Sequence, residues 1–334
     1  MTGGQTNTRV ASAGLALIEA VDLLKTGELV AFATETVYGL GADARRDSAV
    51  RKIYEAKGRP TGNPLIVHVA DAPGAKRCAT AWPALAEVLA KHFWPGPLTM
   101  VLPRSPTLSP LVGAGRPTVA IRCPKHRVAE ALLQTFDGPI AAPSANRSGF
   151  VSPTTAAHVL AELNGRVPLI LDGGTCDVGL ESTVIDLTAE TPTVLRPGAI
   201  TVEMLRETIG PVAVKHVSAA ESETLDSPGQ FFRHYAPHTP AFLFSPTDWP
   251  HILAAAGTKV VITHDPSVSL PAPHETILLP ADAAGYAREM YAALRAADAL
   301  GASGIYVLKP LSSHGLWAAV TDRLARATTP LTNL

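Results

Sequence analysis

Short apolar strands alternate with amphipathic helices along most of the chain, and this alternation limits the folds that it can adopt. The segment LALIEAVDLLKTG (15–27) has apolar residues at helical spacing and ends at Gly27, and LVAFA (29–33) follows it as a buried strand. The same pattern predicts further helices at 47–56, 82–93, 152–163 and 201–209, and strands at 65–69, 98–102, 118–122, 139–143, 168–171, 182–187 and 192–196. The sequence therefore predicts a mixed α/β domain over residues 12–210.

A second, smaller α/β domain is predicted after a break in this pattern. Residues 211–240 have no clear periodicity, which is typical of a linker or of a functional loop. From 241 to 334 the β-α-β rhythm returns, with strands at 241–244, 259–263, 276–279 and 304–308 and helices at 249–256, 281–300 and 316–327. We expect a Rossmann-like domain, but without a bound dinucleotide, because no GxGxxG turn follows its first strand.

The composition indicates a globular protein without a general affinity for nucleic acids. Of the 334 residues, 46% are hydrophobic and 17% charged, against roughly 25% charged in an average domain, and the formal net charge is −1. Three widely spaced cysteines without a CxxC pair are expected to be reduced thiols. The sequence has no signal core and no run of about 18 apolar residues, so we expect a cytoplasmic protein that does not enter a membrane.

Loops rich in glycine, proline and hydroxyl residues carry the candidate chemistry. The sequence lacks the motifs of P-loops, zinc proteases, nucleophile-elbow hydrolases and zinc clusters. The candidate loops span 34–41, 57–64, 93–99, 116–124, 142–154, 179–184 and 195–200. Ligands of α/β sheets favour such loops, and these bring four cations, Lys57, Arg59, Arg122 and Arg196, near many hydroxyls. That combination suits a polyanion such as a nucleoside triphosphate.

The stretch YEAKGRPTGNPLIVH (54–68) places two cations, Lys57 and Arg59, one residue apart among glycines and prolines. Gly and Pro determine the path of the backbone rather than the packing of a core, so this stretch is interpreted as a loop that holds two charges for an anionic ligand. From the spacing alone, solvated charges at the end of a helix explain the pair equally well.

The other candidates also have purely structural interpretations. Near the end of an apolar strand, His68 is more often a core or edge histidine than a ligand of substrate. The remaining alternatives are turn residues for Ser144, Asn146 and Ser148, capping or ion pairing for Glu35 and Glu181, a pre-turn position for Arg196, and surface positions for His264, His274 and His314.

The order of the motifs along the chain resembles one family. TETVYGLG, KGRPTGNPLIVH, WPGPLT, APSANRSGFVSPT, ESTVID and LRPGAI resemble the YrdC-type threonylcarbamoyl-AMP synthase family over residues 15–210. SPGQFFRHYAP (227–237) and the domain after it resemble the linker and C-terminal domain of the long form of this family. Gln230-Phe231-Phe232 stands where that linker usually carries Met and a Lys-Tyr pair. The resemblance implies a YrdC-like twisted mixed sheet with flanking helices, followed by the Rossmann-like domain.

The resemblance also implies a reaction. L-threonine, bicarbonate and ATP would give L-threonylcarbamoyladenylate, pyrophosphate and water, and a tRNA threonylcarbamoyl transferase would use the product to modify an adenosine of tRNA. Lys57 and Arg59 are the implied catalytic cations, which meet the carbamate and the phosphates. Mg²⁺ is expected to arrive on the ATP phosphates, without dedicated metal-binding residues.

Matching the family's motifs to this sequence assigns two groups of binding residues. For L-threonine they are Thr36, His68, Arg122, the backbone at Ala142, and Ser182; for ATP they are Arg59, Asn63, Thr118, Ser144, Ser152, Arg196 and Tyr235. The segment 227–237 is expected to fold over the nucleotide as a lid that excludes water, the alternative being a passive tether.

Two other functions compete with this one. Resembling domains have a concave basic face suited to double-stranded RNA, so the chain could bind tRNA or another double-stranded RNA instead of making a small molecule. It could also be a different nucleotide-dependent carbamoyl or acyl transferase. Release of pyrophosphate that depends on threonine distinguishes the synthase from both.

Overall fold

Two β-sheets organise the protein. The structure is a computed structural model that describes residues 7–215, 234–310 and 312–331, and within these ranges it contains a sheet of eleven strands and a second sheet of five. The segment predicted as a lid is therefore described only from His234 onwards, and 227–233 lie outside the described residues. Among the described helices, none combines the length and apolar character that a membrane crossing requires.

The first domain alternates strands with helices. Its strands are β1 (Arg9–Ser12), β2 (Val30–Phe32), β3 (Gly39–Asp43), β4 (Ile66–His68), β5 (Leu98–Pro103), β6 (Thr118–Arg122), β7 (Ile140–Ala141), β8 (Leu169–Asp172), β9 (Thr183–Asp186), β10 (Thr193–Arg196) and β11 (Ala213–Val214). Its helices are α1 (Ala13–Thr26), α2 (Asp47–Lys57), α3 (Ala72–Cys78), α4 (Ala84–Phe93), α5 (Arg127–Phe136), α6 (Ala156–Leu163) and α7 (Val202–Ile209).

The first sheet is mixed. Its strand order is β1-β8-β2-β3-β7-β4-β6-β5-β9-β10-β11, with β4 parallel to β6 and β5 antiparallel to β6 at the centre. One core packs strand residues such as Val67 and Ile121 against α2 and α4, and another packs Phe32 and Leu171 against α1 and α5. Both cores include residues of β2, β7 and β8, so these strands are packed on both faces and the loops that follow them are held in fixed positions.

The second domain is a parallel α/β sheet, as expected. Its strands are β12 (Ala241–Phe244), β13 (Lys259–Thr263), β14 (Glu275–Leu278), β15 (Gly304–Leu308) and β16 (Thr329–Pro330), and its helices are α8 (Trp249–Ala254), α9 (Ala283–Ala299) and α10 (Leu316–Ala327). The strand order is β14-β13-β15-β12-β16, and every pair is parallel. The predicted fold class, a twisted mixed sheet followed by a smaller Rossmann-like domain, is confirmed.

Several local predictions were wrong or incomplete. The segment 34–41 was predicted as a loop, but β3 begins at Gly39, where small residues pack between β2 and β7. The helix predicted from residue 152 begins only at Ala156, because the Thr155 side chain accepts a hydrogen bond from the amide of His158 and so caps the helix there. The elements β1, α3, α5 and β11 were not predicted, and the first sheet runs from Arg9 to Val214, slightly beyond 12–210.

Histidines of the second domain differ from the expectation in one case. His264 was expected at the surface, yet its ring is partly buried and lies 6.0 Å from the ring of Tyr286 and 6.3 Å from that of Trp317. His314 is exposed, as expected, and His274 accepts a hydrogen bond from the amide of Lys259. The three cysteines are buried free thiols.

The two domains share an apolar core. Val37, Val151 and Leu180 of the first domain belong to the same buried cluster as Tyr286 and Leu294 of α9. Gly179 comes so close to α9 that a Cβ atom built on it would lie 2.5 Å from the Cα atom of Arg288, and its φ of 73° is also one that favours glycine. The second domain is thus packed directly against loops of the first.

Candidate active site

The register of the central strands places predicted site residues side by side. His68 on β4 pairs with Arg122 on β6, and Thr99 on β5 pairs with Arg122 from the other side. Paired residues of neighbouring strands point to the same face of a sheet. His68 and Arg122 each end their strand and are each 3% exposed. They therefore border a common pocket at this end of the sheet.

Three contacts fix the orientation of the Arg122 guanidinium. Nη1 donates to the hydroxyl of Thr36 at 2.7 Å, and Nε donates to the carbonyl of Gly96 at 3.2 Å. Nη2 forms a 2.6 Å ion pair with Glu35 that lacks the alignment of a hydrogen bond. A guanidinium held in this way presents a rigid positive fork to the pocket, which suits recognition of a carboxylate.

The connection between β2 and β3 is a tight turn of hydroxyl residues. The Thr34 hydroxyl donates to the carbonyl of Val37 at 2.6 Å and accepts from the amides of Thr36 and Val37. Its oxygen also lies 2.9 Å from that of Thr36. Thr34 was not among the predicted site residues, although its place in TETV, two residues before Thr36, was the available signal.

His68 is a buried imidazole with an unpaired nitrogen. Its ring contacts Phe32 edge-on at 6.2 Å, and Nδ1 has no hydrogen-bond partner among the described residues. Burial, and then the charge of Arg122, lower the pKa of His68 to about 3, so the ring is neutral at physiological pH. A buried polar atom without a partner is costly, so this nitrogen is well placed to bind a substrate hydroxyl or amine.

Ser182 and Arg196 form the opposite wall of the pocket. The Ser182 hydroxyl lies 2.7 Å from that of Thr99, and Arg196 donates from Nη2 to the same hydroxyl at 3.2 Å and from Nε to the carbonyl of Ser182 at 3.1 Å. Arg196 ends β10 and is 4% exposed. Its cation is therefore held rigidly next to the serine.

Arg59 enters the same pocket from the loop after α2. Gly58, in the left-handed conformation with φ of 60°, ends the helix, and the chain then turns towards the sheet. Nη2 of Arg59 donates to the carbonyl of Pro64 at 2.9 Å. Burial lowers the pKa of Arg59 to about 10, which still leaves the guanidinium charged at neutral pH. The sequence interpretation of Arg59 as a loop cation is confirmed.

Lys57 does not occupy the predicted loop. It is the last residue of α2 and 2% exposed, and its Nζ donates to the carbonyls of Ser144 and Asn146, both at 2.5 Å, and to the side-chain oxygen of Asn146 at 3.5 Å. Its own carbonyl accepts from the amide of Ser148. The expectation of a cation looped out towards the ligand is wrong for Lys57, because the helix continues to this residue and its amine anchors the 142–152 loop.

This geometry predicts a structural effect of Lys57→Met. The variant leaves two buried carbonyls without their donor, so the free energy of unfolding should fall by about 2–4 kcal/mol, as measured in urea. Lys52→Met is the matched control on the same helix, since it removes only an exposed ion pair with Glu28 and should change stability by less than about 1 kcal/mol. A Lys57→Met protein with normal stability and no activity would instead support the purely catalytic role.

Three residues predicted to bind ATP stand apart from the rest. Asn63 is fully buried, and neither atom of its side-chain amide has a hydrogen-bond partner among the described residues. Thr118 is half-buried at the opposite end of β6 from Arg122, roughly 13 Å along the strand. Ser152 is buried beside the pocket, where its hydroxyl donates to Glu181 at 2.5 Å.

The described end of the linker closes one side of the pocket. His234 and Tyr235 are 5% and 1% exposed, and the amide of Ala236 donates to the carbonyl of Gly149 at 3.0 Å. Tyr235 has a φ of 63°, which is rare for a bulky residue, and its ring lies 5.7 Å from that of Tyr291. The segment thus contacts both domains and covers the pocket.

Glu181 links the pocket to the second domain. It is 7% exposed, and it accepts hydrogen bonds from Ser152 of the first domain at 2.5 Å and from Tyr291 on α9 and Arg323 on α10, both at 2.9 Å. The sequence interpretation of Glu181 as an ion-pair residue is confirmed, but its partners were not predicted. One signal was present: Arg323 lies four residues from Ala319 and from Ala327, on the apolar face of α10.

The structure brings most of the predicted site together. The pocket spans about 520 Å³ of space, part of which is open to solvent. All five residues predicted for threonine line it, as do Arg59, Ser144, Arg196 and Tyr235 of those predicted for ATP. Lys57, Asn63, Thr118 and Ser152 do not. Thr34 and Glu181 line it without having been predicted as binding residues, and His234 lines it as part of the segment predicted as a lid. No cluster of three or more histidine, cysteine or acidic residues suited to a metal ion occurs in the described part of the chain.

The buried histidines predict the effect of acid. Burial lowers the pKa of His68 and of His234 to about 3 and that of His158 to about 4, whereas an unfolded histidine titrates near 6.5. Because the unfolded chain binds these protons first, stability is lost as the pH falls below about 6.5, by about 1.4 kcal/mol per pH unit for each histidine.

Urea unfolding between pH 7 and pH 5 measures this slope, above the range in which most carboxylates titrate. Burial also lowers the pKa of His126 and of His264, so His158→Gln should reduce the slope without abolishing it, and substitution of the exposed His92 is the control. A stability that does not vary over this range would contradict neutral, buried rings.

Comparisons with known proteins agree with this architecture. A family model for Sua5, YciO and YrdC proteins, described as telomere recombination, matches residues 22–198, and a model described as threonylcarbamoyl-AMP synthase, C-terminal domain, matches 200–329. A threonylcarbamoyl-AMP synthase of Pyrococcus abyssi is 40% identical over 92% of both chains, and one of Bacillus subtilis is 51% identical over 67% of this chain and 65% of its own. The crystal structure of P. abyssi Sua5 complexed with L-threonine superposes with a TM-score of 0.88 at 36% identity, covering 97% of this chain and 99% of that one.

Proposed function

This chain belongs to the threonylcarbamoyl-AMP synthase family, and on that premise we propose that it condenses L-threonine, bicarbonate and ATP into L-threonylcarbamoyladenylate, releasing pyrophosphate and water. The main support is one pocket with two chemically different ends. Arg122 contacts Thr36 and neighbours His68, which defines the first end, and the charge of Arg59 interacts with Arg196 and Tyr235, which defines the second. A small zwitterion suits the first end, and a polyphosphate suits the second.

At the first end the threonine carboxylate would meet Arg122, whose orientation is already fixed by Thr36 and Glu35. The neutral ring of His68 would bind the hydroxyl or the amine of the substrate. Support for this assignment comes from the P. abyssi relative, whose crystal structure contains L-threonine. A site that hydrogen-bonds a substrate hydroxyl rejects analogues without it far more strongly than analogues that differ by one methyl group.

At the second end the carbamate of threonine would attack the α-phosphorus of ATP, and pyrophosphate would leave. The protein contributes positioning and charge to such a transfer, and Arg59 and Arg196 are the buried cations that supply the charge. Glu35 and Glu181 are both already paired with arginines. We therefore expect Mg²⁺ to enter on the phosphates of ATP, with few protein ligands.

The segment around Tyr235 would act as the lid of this site. This end of the linker lines the pocket, and the ring of Tyr235 packs against Tyr291 of the second domain. A closed lid excludes water from the carbamate, which decomposes readily in solution. The transferase that would receive the product, any contact with tRNA, and a cytoplasmic location remain predictions.

The test is the release of pyrophosphate from ATP with bicarbonate, with and without L-threonine. We expect no release without an amino acid, the fastest release with threonine, slower release with serine, and the slowest with 2-aminobutyrate, which keeps the carbon skeleton but lacks the hydroxyl. Equal rates with threonine and 2-aminobutyrate would contradict the proposed pocket. Release of pyrophosphate that does not require an amino acid would favour a different nucleotide-dependent transferase. RNA binding that weakens steeply with salt, in a protein without synthase activity, would favour the RNA-binding function.

A further inference from the structure

A buried carboxylate of the first domain is held mainly by side chains of the second. Glu181 lines the pocket, and one of its oxygens accepts from both Tyr291 and Arg323 at 2.9 Å, while the other accepts from Ser152. These donors come from α9, from α10 and from the loop before α6, so the carboxylate stands where three separate segments meet. The second domain therefore holds this wall residue from behind, although none of its own described residues lines the pocket.

Arg323 is positioned as firmly as Glu181. The residue is fully buried, Nη2 donates to the carbonyl of Pro197 at 3.0 Å, and Nη1 contacts Asp322 at 2.5 Å. Its guanidinium also lies over the ring of Tyr235, 5.5 Å from the centroid. One arginine of the second domain therefore contacts the carboxylate in the pocket wall, the backbone of the LRPGAI loop and the proposed lid.

The charge of Glu181 matters because of where it lies. Burial alone would raise its pKa, but Arg323 and then Arg196, together with the hydrogen bond from Ser152, lower the pKa to about 2. The group is thus an anion at any working pH, in the wall of a pocket that we assign to a polyanion. Without a cation beside it, a buried carboxylate would repel the phosphates of ATP.

We propose that Arg323 and Tyr291 are positioning residues for the ATP end of the pocket, which neutralise and orient Glu181, so that the C-terminal domain sets the charge of the nucleotide site from behind the pocket wall. The inference rests on the proposed function for the identity of the ligand. No described residue beyond Tyr235 lines the pocket, so the domain acts through Glu181, and moving it away leaves Arg196 as the remaining cation near this carboxylate. Arg323 also couples this charge balance to the lid through its contact with Tyr235.

Charge rescue distinguishes this role from a structural one. Arg323→Met should raise the KM for ATP about tenfold or more, with a much smaller change in the KM for threonine. Glu181→Gln alone removes the anion while Arg323 stays, so it should lower the KM for ATP. The double variant Arg323→Met/Glu181→Gln should bring the KM to within about threefold of the unmodified protein, because both charges are gone. If the pair were only structural, the double variant would be as impaired as Arg323→Met, or more so.

A matched control exists at the same domain interface. Arg295 on α9 forms a 2.5 Å ion pair with Glu162 and donates to the carbonyl of Val151, but it does not line the pocket. Arg295→Met removes an interdomain ion pair and a 3.4 Å contact with the carbonyl of Ser152, but none of the donors of Glu181, and it should leave the KM for ATP within about twofold. An Arg295→Met effect as large as that of Arg323→Met would overturn the proposal, since any loosening of the interface would then suffice.

Two measurements keep the outcome clear. If Arg323→Met does not fold, Tyr291→Phe removes one hydrogen bond from Glu181 while keeping the ring, and it should raise the KM for ATP about two- to fivefold. Calorimetric titration with α,β-methylene ATP measures binding without turnover. If the protein makes no adenylate but its binding of the ATP analogue depends on Arg323, the proposed function is wrong and the inference stands. If the protein makes the adenylate but ATP binding does not depend on Arg323, the proposed function stands and the inference is wrong.

Discussion

Replacing Arg59 with alanine is expected to lower turnover by about 10²- to 10³-fold while leaving the fold intact. The guanidinium is buried in the pocket and is held by the carbonyl of Pro64, so its charge is directed at the ligand before the ligand arrives. Preorganised donors of this kind stabilise charge that develops in the transition state, and losing one costs about this factor. Initial rates of pyrophosphate release at saturating substrates measure the effect.

Arg51→Ala is the control for this prediction, because Arg51 is an exposed cation on the preceding helix. It should keep nearly full activity. Arg59→Lys should recover only part of the loss, since lysine retains the charge but not the planar fork. An Arg59→Ala protein with turnover near normal would show that the cation does not act on the phosphates.

Arg122→Gln is expected to raise the KM for threonine on the order of 100-fold or more. The change removes the partner of the substrate carboxylate and leaves Glu35 without its 2.6 Å ion pair, so an anion would then face the incoming carboxylate. Saturating threonine should recover more of the activity than it does for Arg59→Ala, because the defect lies in substrate binding. Titration calorimetry with L-threonine alone checks the same prediction without turnover.

Thr107→Val is a suitable control for Arg122→Gln. This residue is outside the pocket, and its hydroxyl contacts only Ser105 among the described residues. The KM for threonine should then stay within about twofold. If Arg122→Gln binds threonine normally, the carboxylate is recognised elsewhere, and the ion pair with Glu35 serves the fold alone.

The fold was predictable because its signals are local. Buried strands such as LTMVL and helices such as α1 differ in the spacing of their apolar residues, and this spacing is present within each segment of the sequence. Where the period is short or absent, the prediction failed: β3 is built of small residues, and its strand character comes from pairing with β2 and β7. Tertiary pairing of that kind leaves no mark within the segment itself.

The site was predictable where a residue ends a strand. His68 and Arg122 do so, and the sheet then places them together. The prediction for Lys57 was wrong because the sequence does not show whether α2 ends before or after this residue, and that single turn decides which way its amine points. Arg323 could not be predicted as a support of the pocket wall, because its partner Glu181 lies 142 positions away and only the packing of two domains joins them.

The backbone of Tyr235 has a consequence for the timing of the cycle. A bulky residue in the left-handed region costs roughly 1–2 kcal/mol, and here the burial of the ring and its contacts with Arg323 and Tyr291 offset that cost. If this segment is the lid that we propose, loss of those contacts would leave the backbone strain of Tyr235 without compensation. The strain would then favour opening of the lid over closure, and it would speed the release of product.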